Sequence, residues 1–327
     1  MRILISDPNL VPHAAALEAG VPADCTVTWL AADDPAFPTA LADADALVAP
    51  KLTAEQAATA PRLRLVHAPG AGYDGIDQAG LAPDTIVANT FHHEDSIAEQ
   101  VIASAVLLRR GLLDQDRQLR GGRWASSVYD RSIPQPRNLT GARIGFVGFG
   151  HIGRRCWELF AAFGCTGAAV TGSGRPAPAD SPALQWIGRA DTDLHRLLTR
   201  TDVLVVSAPL TEATRDLIGA DELAKLPSDA IVINVGRGPL INEDALHDSL
   251  ASKQIGGAAI DVWYSYPDGN GAPAHRDFAS LPNTLLTPHS SGVTAETFAG
   301  RAADIAANVT ALVEGTPLRN VVRPDAN

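Results

Sequence analysis

Residues 145–153 read Gly145-Phe-Val-Gly148-Phe-Gly150-His-Ile-Gly153, a spacing that suits a pyrophosphate. An apolar run from Arg143 to Val147 leads in, and a helical pattern from Arg154 to Phe163 follows. In Gly148-x-Gly150-x-x-Gly153 the first glycine makes the turn and the second lets backbone approach an anion. The third permits close packing of helix on strand. N–H groups at the helix start then face the phosphates. Further on, Ala168-Ala-Val-Thr-Gly-Ser-Gly-Arg175 has no carboxylate, and the first acid after Glu158 is Asp180. A ribose 2′-hydroxyl is usually held by an acid at this place. Thr171, Ser173 and Arg175 instead offer hydroxyls and a cation, which suit a ribose 2′-phosphate.

The elements that must position these groups alternate along the chain. Short apolar runs at Arg2–Ser6, Ala46–Ala49, Leu63–His67 and Thr85–Asn89 read as strands of a small parallel sheet, with helices such as Pro12–Ala19 and Ala54–Ala60 between them. A second series of strands, Arg143–Gly148, Ala168–Thr171, Val203–Ser207, Ala230–Asn234, Gly257–Asp261 and Thr284–Leu286, alternates with helices at Ile152–Phe163, Leu194–Thr199, Glu222–Leu226 and Glu243–Ala251. That is the pattern of a doubly wound sheet. Between the two series, Ser96 to Leu119 has no internal proline and carries Ile97, Val101, Ala105, Leu108 and Leu112 at helical spacing. It is expected as one long helix, packed between domains or subunits, or simply in a core. A last amphipathic helix, Ala295–Glu314, stops at Gly315-Thr-Pro317. Ser173–Ser181 is the strongly Pro/Gly-rich loop and would border the adenosine end of a dinucleotide.

At 327 residues the chain suits two α/β domains. Its formal net charge of −11, with no basic run, argues against nucleic acid or an anionic membrane surface as partner. No apolar stretch reaches membrane-spanning length, and Met1–Asp7 reads as a strand rather than a leader. Cys25, Cys156 and Cys165 have neither metal-ligand nor disulfide spacing, which points to a reducing, cytoplasmic setting. No metal is assigned.

Five ordered stretches resemble the D-isomer-specific 2-hydroxyacid dehydrogenases, relatives of phosphoglycerate dehydrogenase, glyoxylate/hydroxypyruvate reductase and formate dehydrogenase. They are Gly70-Ala-Gly-Tyr-Asp-Gly-Ile-Asp77, Ser96-Ile-Ala-Glu99, Gly148–Gly153, Ile233-Asn-Val-Gly-Arg-Gly-Pro-Leu240 and Leu286-Thr-Pro-His-Ser-Ser-Gly292. The likeness spans roughly residues 60 to 320 and is weakest at the N-terminus. It implies a Rossmann cofactor domain, residues 96–291, inserted into a smaller flavodoxin-like α/β substrate domain, residues 1–95 and 292–327. Catalysis would lie in the cleft, with hinge crossings near Ser96 and Gly292 and a homodimer through the long helix.

On this resemblance Arg237 polarises a 2-keto acid's carbonyl and binds its carboxylate. A planar guanidinium can hold two oxygens at once. His289, in Leu286-Thr-Pro-His, is the proton donor. The family's acidic partner of this histidine is replaced by Tyr266, which can orient an imidazole but supplies no charge. Asp268 is the fallback partner. Gly70, Ala71 and Gly72 would receive the substrate carboxylate on backbone N–H groups. Of His92 and His93 before the long helix, His93 is the expected substrate contact. Gly148, Gly150, His151, Ile152 and Gly153 would hold the pyrophosphate, with Thr171, Ser173 and Arg175 at the ribose. Pro209 and Thr214 would border the adenosine, and Val235 and Asp261 the nicotinamide. The reading is an NAD(P)-dependent D-2-hydroxyacid dehydrogenase running as a 2-keto-acid reductase, NADP favoured over NAD. Its rivals are a formate-dehydrogenase-like activity, suggested by Trp263-Tyr264 and the neutral residue 266, and a nucleotide-sensing corepressor-like protein.

Overall fold

The computed structural model describes residues 1–175, 184–266 and 271–323. Most of the Ser173–Ser181 loop, including Asp180, and Asp268 lie outside those residues. The chain divides into two compact units, Met1–His92 with Val293–Asn327, and His93–Gly292.

The first unit begins with parallel strands β1 (Arg2–Ile5), β2 (Thr26–Trp29), β3 (Ala46–Val48), β4 (Leu65–His67) and β5 (Ile86–Ala88). Side chains alternate across this sheet as a period of two requires. Ile3, Ile5, Ala46, Val48 and Leu65 meet Leu17 and the Phe298–Leu312 face of helix Ala295–Glu314. Leu4, Leu47 and Val66 meet Phe37, Leu41 and Ala57 on the other side. Thr294 caps the last helix by accepting from Thr297 N (3.3 Å), and Gly315 ends it at φ +68°, the left-handed stop expected of a glycine there.

The second unit holds a parallel sheet of β6 (Arg143–Val147), β7 (Thr166–Thr171), β8 (Trp186–Arg189), β9 (Val203–Val206), β10 (Ile231–Asn234), β11 (Gly257–Ile260) and β12 (Thr284–Leu286). Its order is β12-β11-β10-β9-β6-β7-β8. The chain starts in the middle and winds outward both ways, so the switch point falls between β6 and β9. In open sheets of this kind ligands bind outside the strands' carboxyl ends at such a point. Strands β9, β10 and β11 are buried throughout, as a parallel sheet covered on both faces demands. Strand β13 (Val321–Arg323) returns to the first unit and lies antiparallel on β5.

Two expectations need correction. Ser96–Leu119 is not one helix but two, Glu94–Arg109 and Leu112–Arg120, because Gly111 takes φ +62° and breaks the hydrogen-bond ladder. Ile97, Ala98, Val101 and Ala105 of the first pack in the second unit's own core with Cys156, Trp157 and Phe160, while the second helix buries nothing. Strands β2, β8 and β13 were not expected. All three lie at sheet edges, where half-exposed residues interrupt the apolar run that marks an inner strand.

Candidate active site

At the end of β6, Gly148 has φ +88°, and a methyl group on it would strike Ala208 N at 2.6 Å, just past β9. Gly150 is the N-cap of helix His151–Ala162, and a methyl built there meets nothing within 4 Å. At Gly153 a methyl would lie 2.9 Å from Gly148 O. One glycine thus turns the chain, one leaves space over a helix N-terminus, and one closes helix onto strand. The helix N-terminus and its dipole face that space, so a pyrophosphate fits this cradle. His151 is exposed at the helix start and Ile152 is partly buried.

At the end of β7 Thr171 Oγ1 accepts from Gly174 N (2.9 Å), and Ser173 Oγ from Arg175 N (3.3 Å). Arg175 is exposed, and no carboxylate lies between 171 and 175. Arg189 on β8 is the register partner of Thr171 and is paired with Asp191 (2.6 Å). After β9, Thr214 Oγ1 donates to Pro209 O (2.8 Å) and accepts from Thr211 N (2.7 Å), so this exposed loop is closed by its own hydroxyl.

Arg237 follows β10 on a turn that Asn234 clamps from both sides. Asn234 Nδ2 donates to Arg237 O (3.0 Å), and its Oδ1 accepts from Gly236 N (3.2 Å). Val235, between them, is buried in the core. Gly238 packs so closely on Trp263 O that a side chain there has no room. Trp263 in turn donates Nε1–H to Thr287 O (2.9 Å). The turn after β10, the loop after β11 and the end of β12 are therefore fastened together.

His289 follows β12 with φ +55°, a left-handed conformation uncommon for a side-chain-bearing residue. Its pKa lies below 6.5: loss of surrounding water lowers it most, Asp261's charge pulls it up, and Arg237's pushes it down. Tyr266 is 45% exposed, with its ring 5.3 Å from the imidazole at a tilt of 49°. The phenol oxygen accepts from Trp263 N (3.2 Å). Tyr266 therefore meets His289 with its ring, and its oxygen serves the backbone of its own loop.

In the first unit, Gly70 O accepts from Thr90 N (3.3 Å) and Ala71 O from Asn89 Nδ2 (2.8 Å). Among the described residues no acceptor takes the N–H groups of Gly70, Ala71 or Gly72. Sequence reasoning missed Arg301, whose guanidinium lies 3.6 Å from where a Gly70 Cβ would stand and whose Nε donates to Phe91 O (3.1 Å). It sits two turns inside the last helix, and no spacing signal links it to Gly70. His92, at φ +64°, pairs with Asp304 (2.8 Å), while His93 is buried at the start of helix Glu94–Arg109.

A glycine turn at the switch point of a doubly wound sheet defines a Rossmann-type dinucleotide-binding fold. The NAD binding domain of the D-isomer specific 2-hydroxyacid dehydrogenases matches residues 102–291. The 2-ketogluconate reductase of Gluconobacter oxydans is 32% identical over 72% of this chain and 72% of its own length. Glyoxylate/hydroxypyruvate reductase B of Yersinia enterocolitica is 31% identical over 81% of this chain and 79% of its own. Among solved structures, a 2-hydroxyacid dehydrogenase from Ketogulonicigenium vulgare is similar with a TM-score of 0.80 at 27% identity, covering 99% of both chains. The chain belongs to the D-isomer specific 2-hydroxyacid dehydrogenase family.

Proposed function

We propose that this enzyme reduces a 2-keto acid to the D-2-hydroxy acid, with NADPH preferred to NADH. The observation that carries this reading is the placing of Arg237 and His289. They follow separate strand ends, β10 and β12, yet their loops are fastened together through Gly238 against Trp263 and Trp263 Nε1–H on Thr287 O (2.9 Å); burial lowers the imidazole's pKa most, and the Arg237 charge lowers it further. Arg237 polarises the carbonyl and steadies the negative charge that develops on its oxygen. His289 protonates that oxygen. The amides of Gly70, Ala71 and Gly72 are the donors assigned to the substrate carboxylate, and His93 remains a proposed substrate contact. The glycine turn from Gly148 to Gly153, with His151 and Ile152, holds the pyrophosphate. Pro209 and Thr214 border the adenosine, and Val235 and Asp261 the nicotinamide, whose reduced ring supplies the hydride when bound.

NADP preference is supported by the missing acid after β7 and by Thr171, Ser173 and Arg175 in its place. A Kd for NADP no tighter than that for NAD removes this part. Dimerisation is supported by Trp124 and Val128, 63% and 77% exposed beside Leu119 and Tyr129, and light scattering in solution checks it. A cytoplasmic setting is supported by three free cysteines and by the absence of any membrane-spanning helix among the described residues.

Arg237→Ala and His289→Ala test the chemistry. Each is expected to lower kcat/KM for the keto acid by about 10²-fold or more, with NADPH affinity within about threefold of wild type, since the pyrophosphate is assigned to the glycine turn after β6. Wild-type turnover in either variant overturns the assignment.

A further inference from the structure

Arg301 stands half-buried on helix Ala295–Glu314, against the glycine turn that follows β4. Its Cζ and both terminal nitrogens are each 3.6 Å from the place of a Gly70 Cβ. Three atoms of a planar group that are equally far from one point present their face to it, so the guanidinium lies flat on Gly70. Its N–H donors lie in that plane and therefore run along the turn rather than into it. Nε donates to Phe91 O (3.1 Å), and the Phe298 ring centroid lies 5.0 Å from Cζ. A carbonyl and an aromatic face hold the group, which suits arginine better than lysine. Asp304, the acid one turn on, accepts from Thr90 Oγ1 (2.9 Å), His92 Nε2 (2.8 Å) and a terminal nitrogen of Arg319 (3.4 Å). At the far end of the same loop, Lys51 Cγ stands 3.1 Å from the place of a Gly75 Cβ, and Leu52 N donates to Gly75 O (2.9 Å). Two cations thus flank the loop from Gly70 to Gly75, in a chain whose formal net charge is −11.

We propose that Arg301 is a specificity-determining residue, selecting a 2-keto acid whose tail carries a second carboxylate. The inference rests on the reductase reading and deepens it by naming the substrate class. In that reading the C1 carboxylate already has its donors, the amides of Gly70, Ala71 and Gly72 and the Arg237 guanidinium. A carboxylate accepts about four hydrogen bonds, so these donors fill it and a further cation is surplus for a monoanion. For a dianion it is not surplus. A guanidinium whose donors run along the turn meets the tail of an acid anchored there, and its planar fork matches a carboxylate with two parallel bonds. Lys51 adds a positive field at the other end of the loop. A neutral tail gains nothing from either group and takes water from a half-buried cation, which costs affinity.

The test pairs oxaloacetate with 4-methyl-2-oxopentanoate, whose tails match in shape and differ in charge, with NADPH as reductant. The wild-type enzyme is expected to favour oxaloacetate in kcat/KM by about tenfold or more. Arg301→Met should lower kcat/KM for oxaloacetate about ten- to hundredfold more than for the neutral acid, chiefly through KM. Arg301→Lys keeps the charge but not the fork, and should retain part of the preference. A merely structural prop would weaken both acids alike, so equal losses in Arg301→Met overturn the proposal. So does a wild-type preference for the neutral acid, which decides the matter if Arg301→Met fails to fold. Binding is read separately by calorimetry, with D-malate and D-2-hydroxy-4-methylpentanoate titrated onto the enzyme–NADPH complex, where no hydride can pass. An enzyme that turns over no keto acid yet binds D-malate about tenfold tighter than the neutral hydroxy acid defeats the reductase reading and leaves the charge selection standing. Equal affinity for the two hydroxy acids, or binding of neither, overturns the charge selection.

Discussion

Gly150→Ala separates binding from folding at the nucleotide turn. The residue has a negative φ of −85°, and the added methyl meets no atom within 4 Å. Alanine is a poorer N-cap than glycine, but it also restrains the unfolded chain, and the two effects oppose each other at roughly 0.5–1 kcal/mol each. The melting temperature should therefore stay within a few degrees of wild type. The methyl does, however, stand where a pyrophosphate would approach the helix N-terminus. Losing even one N–H bond to a charged phosphate costs about 1.5–3 kcal/mol, which is roughly a ten- to hundredfold rise in the NADPH Kd. Fluorescence titration with NADPH beside a thermal melt reads both quantities. Gly148→Ala is the control: φ +88° and a 2.6 Å approach to Ala208 N predict loss of stability as well as of binding. Unaltered NADPH affinity in Gly150→Ala would refute the placing of the phosphates over this turn. A melt as depressed as that of Gly148→Ala would show that the space is not open.

Two other outcomes follow from buried and half-buried rings. His67 is fully buried: Nδ1–H donates to Ala68 O (2.9 Å), and Nε2 accepts from Asn308 Nδ2 (3.0 Å). Burial lowers its pKa from 6.5 to about 4. The unfolded chain takes up a proton near pH 6.5 that the folded one refuses, so stability falls as pH drops from 6.5 toward 4, by about 3 kcal/mol in all. Urea midpoints at pH 7 and 4.5 should show a larger acid loss for wild type than for His67→Gln, and equal losses would contradict the assignment. Tyr266→Glu would place a carboxylate beside His289, raise its pKa and carry the alkaline limb of keto-acid reduction to higher pH. Superimposable pH–rate profiles for variant and wild type would remove Tyr266 from the account.

The parts legible in the sequence were those written in local pattern. Buried parallel strands such as Val203–Val206 show as unbroken apolar runs, and Gly148-x-Gly150-x-x-Gly153 shows as spacing. Edge strands such as Thr26–Trp29 were not legible, because one face is half exposed and the apolar run is lost. Gly111 was not, since a lone glycine in a helical pattern reads as tolerated until its φ is known. The set of hydrogen bonds onto Asp261 was the least legible. Its donors, Gln100, Thr287, Ser290 and Ser291, lie far away in sequence and are gathered only by the fold. Arg301 against Gly70 is hidden for the same reason.

Oxidation of NADPH and NADH by the wild-type enzyme, followed across glyoxylate, pyruvate, hydroxypyruvate, phenylpyruvate and larger or anionic 2-keto acids, tests the central claim most directly. Turnover of at least one of these acids, faster with NADPH and lowered about 10²-fold or more in Arg237→Ala, is the predicted result. Tight nucleotide binding with no turnover of any acid would contradict it and leave a nucleotide sensor in its place.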